Sequence, residues 1–302
     1  MKSAEETKKE VEKFWNEKPC DSDRSQLAIG TKEYFLEVAR DRYLYQRHIL
    51  SDVLPKIDWR GKRVLEVGTG VGTDAREIIA RGAVYTGINI DQGSVDITKQ
   101  ALGTFGLAGD VQKCDVTSLP YESASFDVVY SFGALPCIPD LDKAMAEIHR
   151  VLKPQGEFLG LFYNRSSINY QVEIRMLRRM FRPLLMVPGM IRLLTWFGLP
   201  EDRLAGHREL YRTAPRMSEQ EWLSRNTDGP DNPYIRIQDA EEAGKLMKDF
   251  EIVCNEVYFF DYRHWGVLGR KMPSFLVNAL GRRWGWHRIV HARKLVSDHR
   301  AL

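Results

Sequence analysis

Three glycines alternate with other residues in Val64-Leu65-Glu66-Val67-Gly68-Thr69-Gly70-Val71-Gly72-Thr73-Asp74, between an apolar run and a segment of helical character. Glycines so placed let a backbone turn tightly and come close to a ligand. Glu66 adds a carboxylate, which in a partly buried site favours a cationic ligand group. The dinucleotide fingerprint needs its third glycine three residues after the second, at position 73, and this chain has Thr73 there. The G-x-G-x-G spacing therefore disfavours NAD or FAD. Taken alone, the loop is also compatible with a strand-to-helix turn that binds nothing.

The elements that must hold this loop follow from alternating strand and helix signals. Residues 63–67 read as a strand and 73–81 as a helix; 83–90 and 94–105 repeat the pair. A shorter strand at 111–115, an apolar strand at 126–132, an amphipathic helix at 141–152 stopped by Pro154 and Gly156, and a fifth strand at 157–163 continue it. Apolar strands between helices predict a mostly parallel sheet covered on both faces, with its ligand at the carboxyl ends of the strands. Helical segments at 5–15 and 31–53 precede this region as a cover. A basic and apolar helical stretch at 170–197 follows it, then a polar loop with turn residues from Asp228 to Pro233. A helix at 240–250 and strands at 251–259 and 286–293 complete the sheet as an antiparallel pair. The expected fold is thus α/β, a doubly wound, mostly parallel, seven-stranded Rossmann-like sheet with an N-terminal helical cover and a helical insertion after the fifth strand. Its expected divisions are a cover at 1–57, a cofactor-binding core at 58–164, a lid and substrate insertion at 165–238, and a closing helix and strands at 239–302.

Further segments make the glycine loop specific. Glu66 to Gly72 resembles the E/D-x-G-x-G-x-G motif of class I S-adenosylmethionine-dependent methyltransferases. Leu119-Pro120-Tyr121-Glu122, Ser125-Phe126-Asp127-Val128-Val129-Tyr130-Ser131 and the run from Ala146 to Gly156 resemble that family's L-P-F, F-D-V-V and E-x-x-R-V-L-K-P-G-G segments, in the same order. The resemblance implies S-adenosyl-L-methionine as cofactor and S-adenosyl-L-homocysteine as product. It implies that Gly68, Thr69, Gly70 and Gly72 pass under the methionine part of the cofactor while Glu66 orients its amino group. Asp115 matches the acidic residue that accepts from the adenine amino group, Val116 would pack on the ring, and Ser131 and Phe132 would close the site. At the ribose position the family's G-x-D is replaced by Gly87-Ile88-Asn89, with Asp91 two residues on, so either Asn89 or Asp91 would hold the hydroxyls. Leu135-Pro136-Cys137 stands where relatives often carry two histidines.

Composition sets the outer limits. Hydrophobic residues make up 43% and charged residues 28% of the chain, as in folded globular proteins. Forty-four Lys and Arg against forty-one Asp and Glu leave +3, too little to imply nucleic acid by field strength. The four cysteines are scattered without metal-ligand spacing, so no metal site and a reducing compartment are expected. The charged N-terminus lacks the features of a secretory signal, and the apolar stretch at 183–200 is interrupted by Pro188, Gly189 and Arg192. A cytoplasmic protein is the expectation, with a lid, a partner surface or an interfacial helix as readings of that stretch.

Methyl transfer is an in-line displacement on a group already activated by the cofactor, so alignment rather than an obligatory triad carries much of the catalysis. For acceptor positioning the sequence offers Tyr163 and Asn164 at the exit of the fifth strand, and His207. For acceptor binding it offers Tyr34, Tyr43, Arg165, Arg175 and Tyr211. His48 is a further candidate. Arginines at 175, 178, 179 and 182 lie at helical spacing, for which an amphipathic lid with a solvated basic face is the favoured reading; the sharper one is that one of them, or Arg165, captures a carboxylate- or phosphate-bearing acceptor. The expected partner is a small molecule methylated on O, N or S, with a homodimer compatible. The rivals are an RNA or tRNA methyltransferase, supported by basic residues at 282–294 but lacking an N-P-P-Y segment after the fourth strand, and a non-catalytic cofactor-binding module.

Overall fold

The computed structural model describes residues 2–295. Strands β1 (Arg63–Val67), β2 (Val84–Asn89), β3 (Asp110–Lys113), β4 (Phe126–Ser131) and β5 (Leu152–Asn164) alternate with helices, as the apolar runs predict. The ladders β1–β2, β1–β4, β2–β3 and β4–β5 are all parallel. Such strands bury both faces, which is why Val64, Leu65, Val128 and Val129 are fully inaccessible. An added β6 (Ile237–Gln238), of two residues, pairs parallel with the end of β5. With β7 (Phe250–Tyr258) and β8 (His287–Lys294) the path runs β3-β2-β1-β4-β5-β8-β7, with an antiparallel edge. The strands are eight, one more than expected, because a two-residue strand leaves no period to read.

The chain divides into two compact units. Among the described residues the first comprises 2–161, 241–255 and 289–295; the second comprises 162–240 and 256–288. In the first unit, α1 (Ala4–Glu17) begins with a capping box between Ser3 and Glu6, and α2 (Lys32–Tyr45) is capped by Thr31. The helix expected over 31–53 stops at Tyr45, and a π-helical turn covers Ile49–Val53. Helix α3 (Thr73–Ala80) follows the glycine loop, α4 (Gln92–Thr104) is capped by Asp91, and α5 (Leu141–Val151) is capped by Asp140.

In the second unit the helix expected over 170–197 is broken. A π-helical segment, Asn169–Leu177, leads to α6 (Arg178–Phe181), a 3-10 turn over Arg182–Met186, and α7 (Met190–Trp196). Pro183 and Pro188 lack the N–H a helix needs, and Gly189 turns the chain with φ +80°. The expected polar loop contains two helices, α8 (Glu201–Thr213) and α9 (Glu219–Arg225). The second is announced by a Ser218/Glu221 capping box that sequence reading passed over. Helix α10 (Ala240–Leu246) ends one turn earlier than expected, and α11 (Gly266–Arg270) and α12 (Ser274–Trp284) fill a stretch with no expected element.

Candidate functional site

The strand order reverses at β1, whose neighbours are β2 on one side and β4 on the other. In open α/β sheets a crevice forms beyond the carboxyl ends of strands at such a switch point. There the loop from Gly68 to Gly72 leaves β1. Gly68, Gly70 and Gly72 have φ of +86°, +54° and +75°, values that L side chains seldom adopt. A Cβ on Gly68 would lie 2.2 Å from that of Ala134, and one on Gly70 would lie 3.3 Å from the Cys20 carbonyl oxygen. The loop is held from beneath. The amide of Gly68 donates to the Ile88 carbonyl at 2.9 Å, that of Gly72 to the Thr69 carbonyl at 2.9 Å, and the Thr98 hydroxyl reaches Thr69 Oγ1 at 3.0 Å and the Gly70 carbonyl at 3.1 Å.

The polar residues expected around this loop converge on the same strand ends. Glu66 is buried and accepts from the Tyr85 hydroxyl. Burial, then the nearby Asp74 charge, push its carboxyl up to about 8. Asp91 is fully buried. Its Oδ1 accepts from the Ser94 amide at 2.7 Å as the cap of α4, while its Oδ2 has no hydrogen-bond partner. The Asn89 Oδ1, by contrast, accepts from the Ile90 amide at 2.9 Å. Asp115 accepts from the amide and hydroxyl of Thr117, both at 2.8 Å, and from the Lys8 ammonium at 3.0 Å. Although burial opposes it, these partners hold its carboxyl below the usual range. Val116 is buried beside it, Ser131 donates to the Val67 carbonyl at 2.9 Å, and Phe132 stacks with Tyr130 at 6.3 Å between ring centres.

A buried ionic network ties α2 to Asp21 and to the first turn of α3, and no sequence motif announces it. Arg42 on α2 donates to Asp21 Oδ2 at 2.7 Å and to Asp74 Oδ2 at 2.6 Å. Tyr43 and Tyr130 donate to the two oxygens of Asp74, each at 2.9 Å. The Arg42 guanidinium also lies over the Phe132 ring, 5.5 Å from its centre. Burial opposes the charge on Arg42, but Asp74 and Asp21 hold it protonated. No motif marks Arg42 or Asp21. Their partners are 32 and 21 residues away in sequence, and only folding brings them together. His48, also buried, has its ring centre 6.1 Å from that of Phe132, and burial lowers its imidazole to about 3. Tyr34 sits in the core with its hydroxyl donating to the Ser22 carbonyl at 3.0 Å.

The remaining acceptor candidates belong to the second unit, where each has a partner. Tyr163 stacks on Trp286 with ring centres 4.5 Å apart and donates to Asp228. The Asn164 side chain donates to the Gly285 carbonyl and accepts from Arg288. His207 faces the carbonyls of Arg203 and Arg225, and burial, then the Arg178 charge, lower it to about 4. The Tyr211 hydroxyl donates to Asn226 at 2.7 Å, Arg165 donates to the Ile237 carbonyl, and exposed Arg175 donates to Gln171. The unit has its own buried ionic cluster, in which Glu173 accepts from Arg178 and Asn169 and contacts His264 Nδ1 at 3.1 Å.

The first unit's features fit an adenosyl sulfonium: a glycine cradle that side chains would fill, a buried carboxylate beside it, and an orphaned carboxylate oxygen at the tip of β2. No group of residues suited to a metal ion occurs among the described residues. Comparison with known proteins agrees with this geometry. Residues 65–160 match the family described as "Methyltransferase domain". Over 97 residues the chain is 36% identical to a sterol 4-C-methyltransferase of Caenorhabditis elegans, covering 32% of this chain and 29% of that protein. Over 105 residues it is 36% identical to a phthiotriol/phenolphthiotriol dimycocerosates methyltransferase of Mycobacterium tuberculosis (strain ATCC 25618 / H37Rv), covering 34% and 38%. The match thus spans about a third of these curated relatives. In fold, the chain is similar to geranyl diphosphate C-methyltransferase from Streptomyces coelicolor A3(2), solved with Mg2+, geranyl diphosphate and S-adenosyl-L-homocysteine. The TM-score is 0.55 over 96% of this chain and 98% of that one, at 11% identity. A loop that closes on glycines, an acidic strand tip with an oxygen to spare, and this agreement lead to one conclusion: residues 65–160 are similar to the methyltransferase domain family, on a doubly wound α/β fold.

Proposed function

We propose that the protein transfers a methyl group from S-adenosylmethionine to a small-molecule acceptor. The observation that carries the reading is the buried, unpartnered Oδ2 of Asp91 next to the positive-φ glycine loop. A buried carboxylate oxygen without a donor costs free energy, and ribose hydroxyls are donors of the right kind. Asp91 rather than Asn89 is therefore assigned to the ribose, because the Asn89 oxygen is already engaged by the Ile90 amide.

When bound, the cofactor supplies a methyl group on a positively charged sulfur. Glu66 would orient the amino group at the methionine end, changing from the protonated to the charged form as it meets an ammonium. Gly68, Thr69, Gly70 and Gly72 would let the backbone approach, Asp115 and Val116 would hold the adenine, and Ser131 and Phe132 would border the transfer point. The Arg42 network fixes the orientation of Phe132 and the first turn of α3, so alignment is set before the cofactor arrives.

An apolar acceptor is favoured over an amino-acid-like one. Two relatives with similar domains are named for sterol and phthiotriol lipid acceptors. Arg165 and Arg178, candidates for capturing a carboxylate, already donate to the Ile237 and Asn226 carbonyls. The test is calorimetry with S-adenosylhomocysteine and with NADH, then incubation of lipid and polar metabolite extracts with isotopically labelled cofactor. Binding of the first alone, and a labelled lipid product, are expected. Absence of heat with the demethylated cofactor defeats the assignment, and a labelled polar product defeats the choice of acceptor.

A further inference from the structure

The second unit carries an exposed apolar surface that a folded chain does not ordinarily leave in water. Phe181, Leu184, Leu193, Trp196 and Phe197 are 48, 38, 48, 76 and 50% exposed, and Leu268 is 81% exposed. The two segments that bear them are joined. The Val267 amide donates to the Phe197 carbonyl at 3.1 Å, and the Arg270 guanidinium donates to the Gly198 carbonyl at 2.7 Å. Trp196 and Leu268 thus project from adjoining elements, α7 and α11.

The charge on the segments that bear this surface is mostly positive, although exposed Glu201 and Asp202 open the neighbouring α8. Residues 165–200 contain six arginines and a single acid, Glu173, which is buried against Arg178 and His264; residues 262–284 contain four arginines, one lysine and no acid. The whole chain is only +3, so the positive charge is concentrated here. Arg192 precedes Trp196 by one helical turn and shares its side of α7. Lys271 and Arg283 are likewise exposed. Apolar and indole side chains among cations match the boundary of a bilayer, where apolar groups enter the acyl region and guanidinium groups meet phosphates. A free lipid monomer would fill a groove, and a second copy would bring the same positive charge against itself.

We infer that this face, formed by 181–197 and 266–284, docks the protein on anionic lipid bilayers. No helix of the described residues is long and apolar enough to cross a membrane, so the contact is interfacial. The inference goes beyond the methyl-transfer reading, and its test is run without cofactor.

The full chain would be sedimented with vesicles of phosphatidylcholine alone and with vesicles containing roughly 30% phosphatidylglycerol, at about 0.1 M and about 0.5 M salt, a range over which screening is strong. Binding to the anionic vesicles, at least about tenfold weaker to neutral ones and in high salt, is expected. The Trp196→Ser/Leu268→Ser and Arg192→Glu/Lys271→Glu double variants should each lose binding by about tenfold or more. All four residues are exposed, so melting temperature and circular dichroism should stay as in the parent. Absence of vesicle binding overturns the inference, as does equal binding to both vesicle types or binding that both variants retain. Concentration-dependent dimerisation abolished by the apolar variant, without vesicle binding, overturns it in favour of a second copy.

Discussion

The two compact units bury charge in different ways. In the first, Arg42 is the shared cation of Asp21 and Asp74, with Tyr43 and Tyr130 completing the carboxylate of Asp74, and the network braces the glycine loop. In the second, Glu173 is the shared anion of Arg178, Asn169 and His264, and the unit's outer face is left apolar and basic. One unit's ionic interactions join α2 to the first turn of α3, just after the glycine loop, while the other's join short helical segments.

Removing the central charge of each unit tests that contrast most strongly. Arg42→Met leaves Asp74 buried without its cation and Asp21 with Arg24 alone, and should cost about 3–5 kcal/mol of stability in chemical denaturation. Arg178→Met should cost roughly half as much, because Glu173 keeps Asn169 and His264. Equal losses would break the comparison. Gly68→Ala comes next: a Cβ close to that of Ala134, together with a positive φ, should weaken S-adenosylhomocysteine binding by about 100-fold, with only about 1–3 kcal/mol lost in folding.

Smaller effects sharpen the site itself. Asp91→Asn keeps an oxygen to cap α4 but places an amide against the ribose, so calorimetry should show binding about 10- to 30-fold weaker at nearly unchanged melting temperature. Asn89→Ala should cost less than about threefold in affinity, and the reverse ranking would move the ribose to Asn89. The titrations carry opposite signs. Glu66, raised from 4.5 to about 8, contributes stability that is complete below pH 4.5 and is lost as pH rises through about 8. Asp21, held below the usual carboxylate range by Arg42 and Arg24 against its burial, contributes stability above that range and loses it as pH falls through the lowered value. Stability without ligand should therefore peak at mildly acidic pH, and Glu66→Gln should flatten the alkaline side. Near pH 7, cofactor binding should release a proton from Glu66, seen as calorimetric heat that changes with the buffer, and Glu66→Gln should abolish it. The smallest change expected is from Arg175→Ala, whose exposed side chain donates to Gln171, at under about 0.5 kcal/mol.

What the sequence determined by itself lies in local pattern. The strands from Arg63 to Tyr163, the turn at Gly68 to Gly72 and the acidic tips at Glu66, Asp91 and Asp115 were legible because period, glycine spacing and strand-end position are properties of neighbouring residues. The region beyond Asn164 was legible only in part. Pro183 and Pro188 break a helix that its apolar spacing predicts, and α8, α9 and α12 lie in segments whose polar or mixed composition conceals them. Only tertiary structure decided that Arg42 braces Asp74, that Lys8 meets Asp115, and that Tyr163, Asn164 and His207 are engaged within their own unit. These contacts join residues far apart in sequence, and a buried ion pair or a capped carbonyl depends on where the chain returns in space, which no local periodicity encodes.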